Sequence, residues 1–373
     1  MKAKNPFQIY GYAGEQYFCD RAVETEKMLD AIANDRNLTL IAPRRLGKTG
    51  LIHHVMHKLR EAGDAKCVYL DIFAAKNQRD FVEMFAREVF ACVESRMEHA
   101  LKAAVQFVAN CRPSLTINKI TGDPTFSFSL DAVDSESTLR SVFEYLKSRK
   151  ESIVIAIDEF QQVAEFPEKG TEALLRGYIQ SAPNVRFIFA GSKLHMMREM
   201  FLSAKRPFYK STQNLSLDRI DASVYYEFAA SHFAAAKHKL SRVAFDFAYD
   251  IVDGVTWEMQ SILNRLWALG EDIDSDRQVR AVLVEILNEN SEEYKNIIAQ
   301  LSANEAKILY AVAAAHRVKA ITGAKFIAAT GMSPSSIKQV ADRLVGDQFL
   351  YQDESGYLVY DRFFSLWLKE NAE

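Results

Sequence analysis

Ala42-Pro43-Arg44-Arg45-Leu46-Gly47-Lys48-Thr49 lies between Leu38-Thr39-Leu40-Ile41 and a run in which Leu51, Ile52, Val55, Met56 and Leu59 recur. The run before it is short, apolar and partly β-branched, as a buried strand requires. The apolar residues after it recur at helical spacing, so a loop joins a strand to an amphipathic helix. In that context Gly47, Lys48 and Thr49 fit the close of the pattern G-x-x-x-x-G-K-[ST]. There, backbone N–H groups cradle phosphates, the lysine reaches their terminal oxygens and the hydroxyl holds magnesium. Ala42 stands where the first glycine of the pattern would be, a mild departure because the residues nearer the lysine form most of the cradle. The following helix aims its positive end at the same phosphates. A plain basic turn between strand and helix is the alternative.

A second stretch, Ser152-Ile153-Val154-Ile155-Ala156-Ile157-Asp158-Glu159, argues against that alternative. Its unbroken apolarity fits a parallel strand covered on both faces. An acid at the strand's carboxyl end beside a phosphate loop is placed to hold magnesium, directly or through water, and Asp158 takes that role. Glu159, the next residue, is placed to orient and deprotonate an attacking water.

Composition bounds the rest. The chain of 373 residues, 49% hydrophobic, is long enough for two or three domains with ordinary cores. A net charge of -3 provides no global basic field for nucleic acid. The cysteines, Cys19, Cys67, Cys92 and Cys111, lack metal-ligand spacing and read as free thiols of a reducing compartment. Nothing at the start reads as a signal sequence and no run approaches a membrane span. The expected location is cytoplasmic, with no membrane partner.

Before the loop, Asn5-Pro6-Phe7 and Tyr10-Gly11-Tyr12 form an aromatic entry that ends at Phe18-Cys19-Asp20-Arg21. Asp20 is placed to cap a helix carrying Glu24, Met28, Leu29 and Ile32. Such a segment either wraps over an adenine, which makes Phe7 and Arg21 nucleotide contacts, or docks the terminus hydrophobically. After the loop helix, Lys66 to Ile72 reads as a second core strand, and Phe81, Met84, Phe85, Val89 and Phe90 mark a helix. That alternation predicts a doubly wound parallel sheet. His53 and His57 have metal-ligand spacing but no nearby third ligand, and read as a solvated helix face. Residues 112–131 alternate around Thr121-Gly122-Asp123-Pro124, which predicts a β-hairpin insertion.

Val185 to Ser192 is another core strand ending in a small polar residue. Ser192 either senses the terminal phosphate or the attacking water, or caps the next helix. Arg206 is a candidate to reach phosphate in cis or from a neighbouring subunit, with surface packing as the alternative. From about Asp221 the pattern turns helical, through Val224, Phe228, Phe233, Phe245, Met259 and Ile262. A helical lid that closes over the nucleotide is expected there.

The final segment reads as a winged helix. Ser302-Ala303-Asn304-Glu305 is a capping box. Ser333-Pro334 starts a helix with Ile337, Val340, Ala341 and Leu344 inward, and Asp353-Glu354-Ser355-Gly356 turns a hairpin wing. From Leu301 onward eight lysines and arginines face eight acids, and the wing tip itself is acidic. DNA affinity rests on neutralising phosphates, so DNA contact through Ser335, Ser336, Lys338, Gln339 and Arg343 is possible, but a protein partner is favoured.

The loop Pro43-Arg44-Arg45-Leu46-Gly47-Lys48-Thr49 resembles that of the prokaryotic AAA-like ATPases called archaeal-type ATPases. That group lies near the STAND signalling ATPases and the origin-recognition ATPases. Phe18 to Arg21, Asp158-Glu159, Gly191-Ser192, Arg206-Pro207 and Tyr360-Asp361 to Trp367 carry the same resemblance across nearly the whole chain. It implies a phosphate-loop ATPase core of parallel sheet with helices on both faces, then an α-helical lid and a winged helix, at 1–220, 221–295 and 296–373. It also implies that Lys48, Thr49, Asp158 and Glu159 keep their family roles. The lid's glycine-histidine-proline signature is here Gly254-Val255-Thr256, which leaves open how the lid couples to nucleotide.

The expected function is an ATP-binding and magnesium-dependent ATP-hydrolysing switch that moves between ATP and ADP states. Pro43, Arg44, Arg45, Leu46, Gly47, Lys48, Thr49, Gly50, Phe7 and Arg21 hold nucleotide; Thr49 and Asp158 hold Mg2+; Lys48, Glu159, Ser192 and Arg206 act in catalysis. A slow signalling or defence scaffold and an ATP-responsive DNA-binding regulator are the rivals.

Overall fold

The structure, a computed structural model, describes residues 4–93, 111–117, 124–130 and 135–372, with the backbone alone for 111–117 and 124–130. Contacts divide it into two compact units, Tyr10–Asp218 and Arg219–Glu373 together with Met1–Ile9.

The first unit is built on a five-stranded parallel sheet of β1 (Leu38–Ile41), β2 (Lys66–Asp71), β5 (Ile153–Asp158), β6 (Val185–Gly191) and β7 (Gln213–Ser216), in the order β2-β5-β6-β1-β7. Alternation along the strands explains its two covered faces. Ile153, Ile155 and Ile157 join Phe187 and Phe189 in one core, against α3 (Gln78–Val93), α4 (Ser135–Ser148), α5 (Thr171–Gln180) and α6 (Leu194–Leu202). Val154 and Ala156 face the other way and pack with Leu38, Leu40, Ile188 and Ala190 against α1 (Ala22–Ala33) and α2 (Lys48–Ala62). The expected α/β sheet with helices on both faces is therefore present. The register sets Asp71 level with Asp158, so two acids end adjacent strands.

Three local expectations need amendment. Strand β7 escaped the sequence reading because Gln213-Asn214-Leu215-Ser216 is mostly polar; pairing with β1 places it at the sheet edge. Asp20 makes no cap: Arg21 occupies the N-cap of α1 with φ 64°, and no side chain bonds the first turn. His53 is half-buried against Tyr69, ring centroids 4.4 Å apart, and not on a solvated face. The expected insertion appears as two antiparallel strands, β3 (Cys111–Ile117) and β4 (Pro124–Leu130), in a sheet of their own. The tip of the expected turn, 121–123, lies outside the described residues.

The second unit is helical: α7 (Ala222–Ala235), α8 (Arg242–Ile251), α9 (Thr256–Leu269) and the 25-residue α10 (Asp276–Gln300). The N-terminal strip belongs to it. Asn5 Nδ2 donates to the Asn264 carbonyl and Asn264 Nδ2 to that of Phe7, both over 2.7 Å. Helix α10 runs across residue 295, so the helical segment and the winged helix share it. Trp367 Nε1 donates to Ser291 Oγ over 3.1 Å, and Tyr294 packs on Phe364.

The winged helix comprises α11 (Ala303–Ala315), α12 (Ala324–Thr330), α13 (Pro334–Gly346), the hairpin β8 (Leu350–Asp353) with β9 (Gly356–Val359), and α14 (Arg362–Glu370). The capping box at Ser302 and Glu305 forms, and Ile337, Val340, Ala341 and Leu344 are buried as their spacing predicts. Among the described residues no helix is long and apolar enough to cross a membrane.

Candidate functional site

The loop between β1 and α2 owes its shape to two left-handed residues. Arg45 has φ 69° and Gly47 φ 87°, while Ala42 is not in the left-handed region. Alternating backbone hand points successive N–H groups to one side, the geometry of an anion nest. Ala42 needs no glycine freedom and is fully buried, which explains why a methyl is tolerated there.

Lys48, the first residue of α2, is 6% exposed, and its ammonium lies 3.2 Å from Asp158 Oδ1 and 3.5 Å from Glu159 Oε1. Thr49 Oγ1 donates to Asp158 Oδ2 over 2.8 Å, and Tyr69 Oη to the same oxygen over 3.1 Å. Burial pushes the Asp158 carboxyl up. The Lys48 ammonium, the Thr49 hydroxyl and the Glu159 N–H together outweigh burial and hold it below the usual value. Asp71, beside it in register, goes the other way. Burial and the charges of Asp158 and Glu159 raise it, against the Phe73 N–H and Lys48.

Glu159 caps a short 3-10 helix, Phe160–Glu165, with φ 54°. A glutamate held in the left-handed region is strained, a cost that recurs at functional positions. Its Oε2 accepts from Ser192 Oγ over 2.9 Å and from Gln161 Nε2. Ser192, 2% exposed, also accepts from Arg44 Nε over 3.3 Å. It does not cap α6, whose N-cap is Lys193, so the capping alternative is not what the structure contains.

Arg21 braces the loop from behind. Nη2 donates to the carbonyls of Leu46 (3.1 Å) and Asp218 (2.6 Å), and Nη1 pairs with Glu24 at 3.0 Å. Gly50 faces Phe18, whose ring stacks on His54 with centroids 4.3 Å apart. Two further candidates have partners of their own. Phe7 is fully buried in the helical unit against Phe228, His232 and Phe233. Arg206 is paired with Glu172 and stands 3.6 Å from Glu199.

The sequence reading missed Tyr69, Asp71 and Gln161. The first two lie on β2, beside the strand that ends in Asp158, which only sheet order reveals. Gln161 is one of two adjacent amides, Gln161-Gln162, after Glu159, and nothing in the sequence singles it out. A separate groove of about 920 Å³ lies along α1 and α2, lined by Glu26, Asp30, Asp35 and Asp64 with Lys58 among others, and shares none of the loop residues.

In the winged helix, the basic side chains expected on the reading helix are engaged within their own domain. Lys338 Nζ bonds Asp342 over 2.7 Å and Tyr357 Oη over 3.3 Å; Arg343 Nη1 bonds Glu305 over 3.1 Å.

Residues 18–262 match the family described as an ATPase domain predominantly from Archaea, and residues 292–370 match a probable winged helix domain. Among solved structures, the chain is similar to the Walker-type ATPase of Pyrococcus abyssi, at 16% identity and TM-score 0.68, over 98% of this chain and 99% of that one. It is similar to the Orc2 protein of Aeropyrum pernix in its ADPNP and ADP complexes, at 15% identity and TM-score 0.63, over 99% and 96%. The Orc1 protein of the same organism, in complex with DNA, gives 10% identity and TM-score 0.56 over 99% and 97%. At these identities the likeness is one of fold. No protein of curated function matches the chain.

Proposed function

The chain belongs to the family of ATPase domains found predominantly in Archaea, and from that membership we propose that it is a magnesium-dependent ATP-hydrolysing switch. One observation carries the reading: the nearly buried Lys48 ammonium stands beside Asp158 and Glu159 at the mouth of a nest-shaped loop. The pairing alone would not favour an anion; the adjoining nest of loop N–H groups does, and triphosphate oxygens seated in it would draw the ammonium from the acids. The Orc2 protein of Aeropyrum pernix, similar in fold, is known in ADPNP and ADP complexes, which supports this reading.

Thr49 Oγ1 and Asp158 Oδ2, 2.8 Å apart, are hard oxygen donors suited to magnesium, and together they would hold it. Bound there, the ion would neutralise charge between the outer phosphates. The remaining work falls to the chain itself. The loop N–H groups and Lys48 bind and orient the phosphates, Glu159 accepts a proton from water, and Ser192 and Arg44 line the route to the terminal phosphate. Arg206 joins them only if it leaves Glu172.

The switch would act on a partner through the helical segment and winged helix, which share α10. The pairing of Lys338 and Arg343 with Asp342 and Glu305 favours a protein over DNA, because those cations are already neutralised. Titration calorimetry with ATP and magnesium tests the binding claim. Wild type should bind and Lys48→Ala should not; equal affinity in the two would remove the loop from the account.

A further inference from the structure

Gln161 is 1% exposed, and its Nε2 donates to Glu159 Oε2. Its other amide atom, Oε1, is buried without a hydrogen-bond partner among the described residues, an arrangement that costs stability. The room for that amide is made by Gly191. Its backbone lies outside the left-handed region, so it is not a glycine for conformational freedom. A Cβ there would stand 2.2 Å from Gln161 Oε1 and 2.6 Å from Met197 Sδ. Strand β6 thus ends in a residue without a side chain immediately before Ser192, and the vacated space seats an amide whose one bond goes to Glu159.

The two oxygens of Glu159 are consequently unlike. Oε2 takes two donors, Gln161 Nε2 and Ser192 Oγ, which fills its lone pairs. Oε1 faces Lys48 at 3.5 Å, on the side where phosphate would draw the ammonium away. We propose that Gln161 is a positioning residue which, with Ser192, anchors Oε2 so that Oε1 is the oxygen presented to the attacking water. The inference rests on Glu159 being the base. With its φ in the left-handed region, Glu159 is carried by a strained turn, and the Gln161 amide fixes the rotation that the turn alone leaves open.

The test measures ATP affinity and single-turnover rate for Gln161→Met, which keeps the length and loses the donor, and for Gln161→Ala, each alone and combined with Glu159→Gln. Thermal unfolding confirms which variants are folded. The rate should fall by about 100-fold, the cost of displacing a reacting group by roughly an ångström, with ATP affinity unchanged. In the Glu159→Gln background neither substitution should slow the residual rate further. A folded Gln161→Met or Gln161→Ala that turns over at or above the wild-type rate overturns the inference while leaving an inactive Glu159→Gln in place. Loss of affinity parallel to the loss of rate also overturns it, by making Gln161 a support of the fold. Wild-type turnover by Glu159→Gln overturns the base assignment itself.

Discussion

Thr49 Oγ1 and Asp158 Oδ2 share a 2.8 Å hydrogen bond across 109 residues of sequence. The first residues of a helix and the last residue of a strand two positions away in the sheet are held together by it. With Lys48 and the Glu159 N–H, it holds this carboxyl below its usual pKa although the residue is 3% exposed.

The pH dependence of stability follows from that carboxylate. Burial raises the Asp158 pKa, but Lys48, Thr49 and the Glu159 N–H bring it below the ordinary 3.8. A lowered folded-state value means the contribution is present above the unfolded value and is lost as pH falls through the lower folded one. Urea midpoints of wild type should therefore drop more steeply below pH 3.8 than those of Asp158→Asn. Parallel acid limbs would contradict the assignment.

Asp71 should behave with the opposite sign. The residue is exposed at the strand end, yet partial desolvation of its carboxyl, and then Asp158 and Glu159, raise its pKa, so its charge opposes folding above the folded value and the cost vanishes below the ordinary 3.8. Asp71→Asn keeps an oxygen for the Phe73 N–H and should raise the melting temperature at neutral pH, with the gain disappearing in acid. A loss of stability at neutral pH would show that the carboxylate is needed.

Arg21 ties the loop to its surroundings through the Leu46 and Asp218 carbonyls. Arg21→Ala leaves those acceptors unpaired and should cost about 1–3 kcal/mol of stability. It should also weaken ATP binding, since the loop loses its brace. Calorimetry showing unchanged affinity would confine Arg21 to the fold.

For Arg206, the pairing with Glu172 separates two roles. Burial raises the Glu172 pKa and Arg206 opposes that, so Arg206→Ala should destabilise by about 1–3 kcal/mol through the stranded acid. If Arg206 also reaches phosphate, Arg206→Ala in a Glu172→Gln background should still slow turnover. We expect that it does, with ATP affinity intact; full turnover in the double variant would make the arginine a packing residue.

Much of this was legible in sequence because the decisive signals are local. Leu38 to Thr49 and Ser152 to Glu159 each carry strand, strand end and chemistry in one run, and the cap pairs at Ser302 and Ser333 announce their helices. What escaped depends on sheet order or on side-chain reach. Strand β7 is polar and is held by pairing with β1. Tyr69 and Asp71 meet Asp158 only because β2 lies beside β5. The bonds between Asn5, Phe7 and Asn264, which tie the N-terminal strip to the helical unit, join residues 259 and 257 apart in sequence and leave no local signal. Arg206, in the turn after α6, read as a lone cation because Glu172 lies 34 residues earlier, on α5.

The central claim is hydrolysis with Glu159 as base, and single-turnover ATP hydrolysis by wild type and Glu159→Gln tests it most directly. Wild type should convert bound ATP to ADP, while Glu159→Gln should bind ATP with the same affinity and leave it intact. Equal rates of conversion in the two proteins would contradict the account.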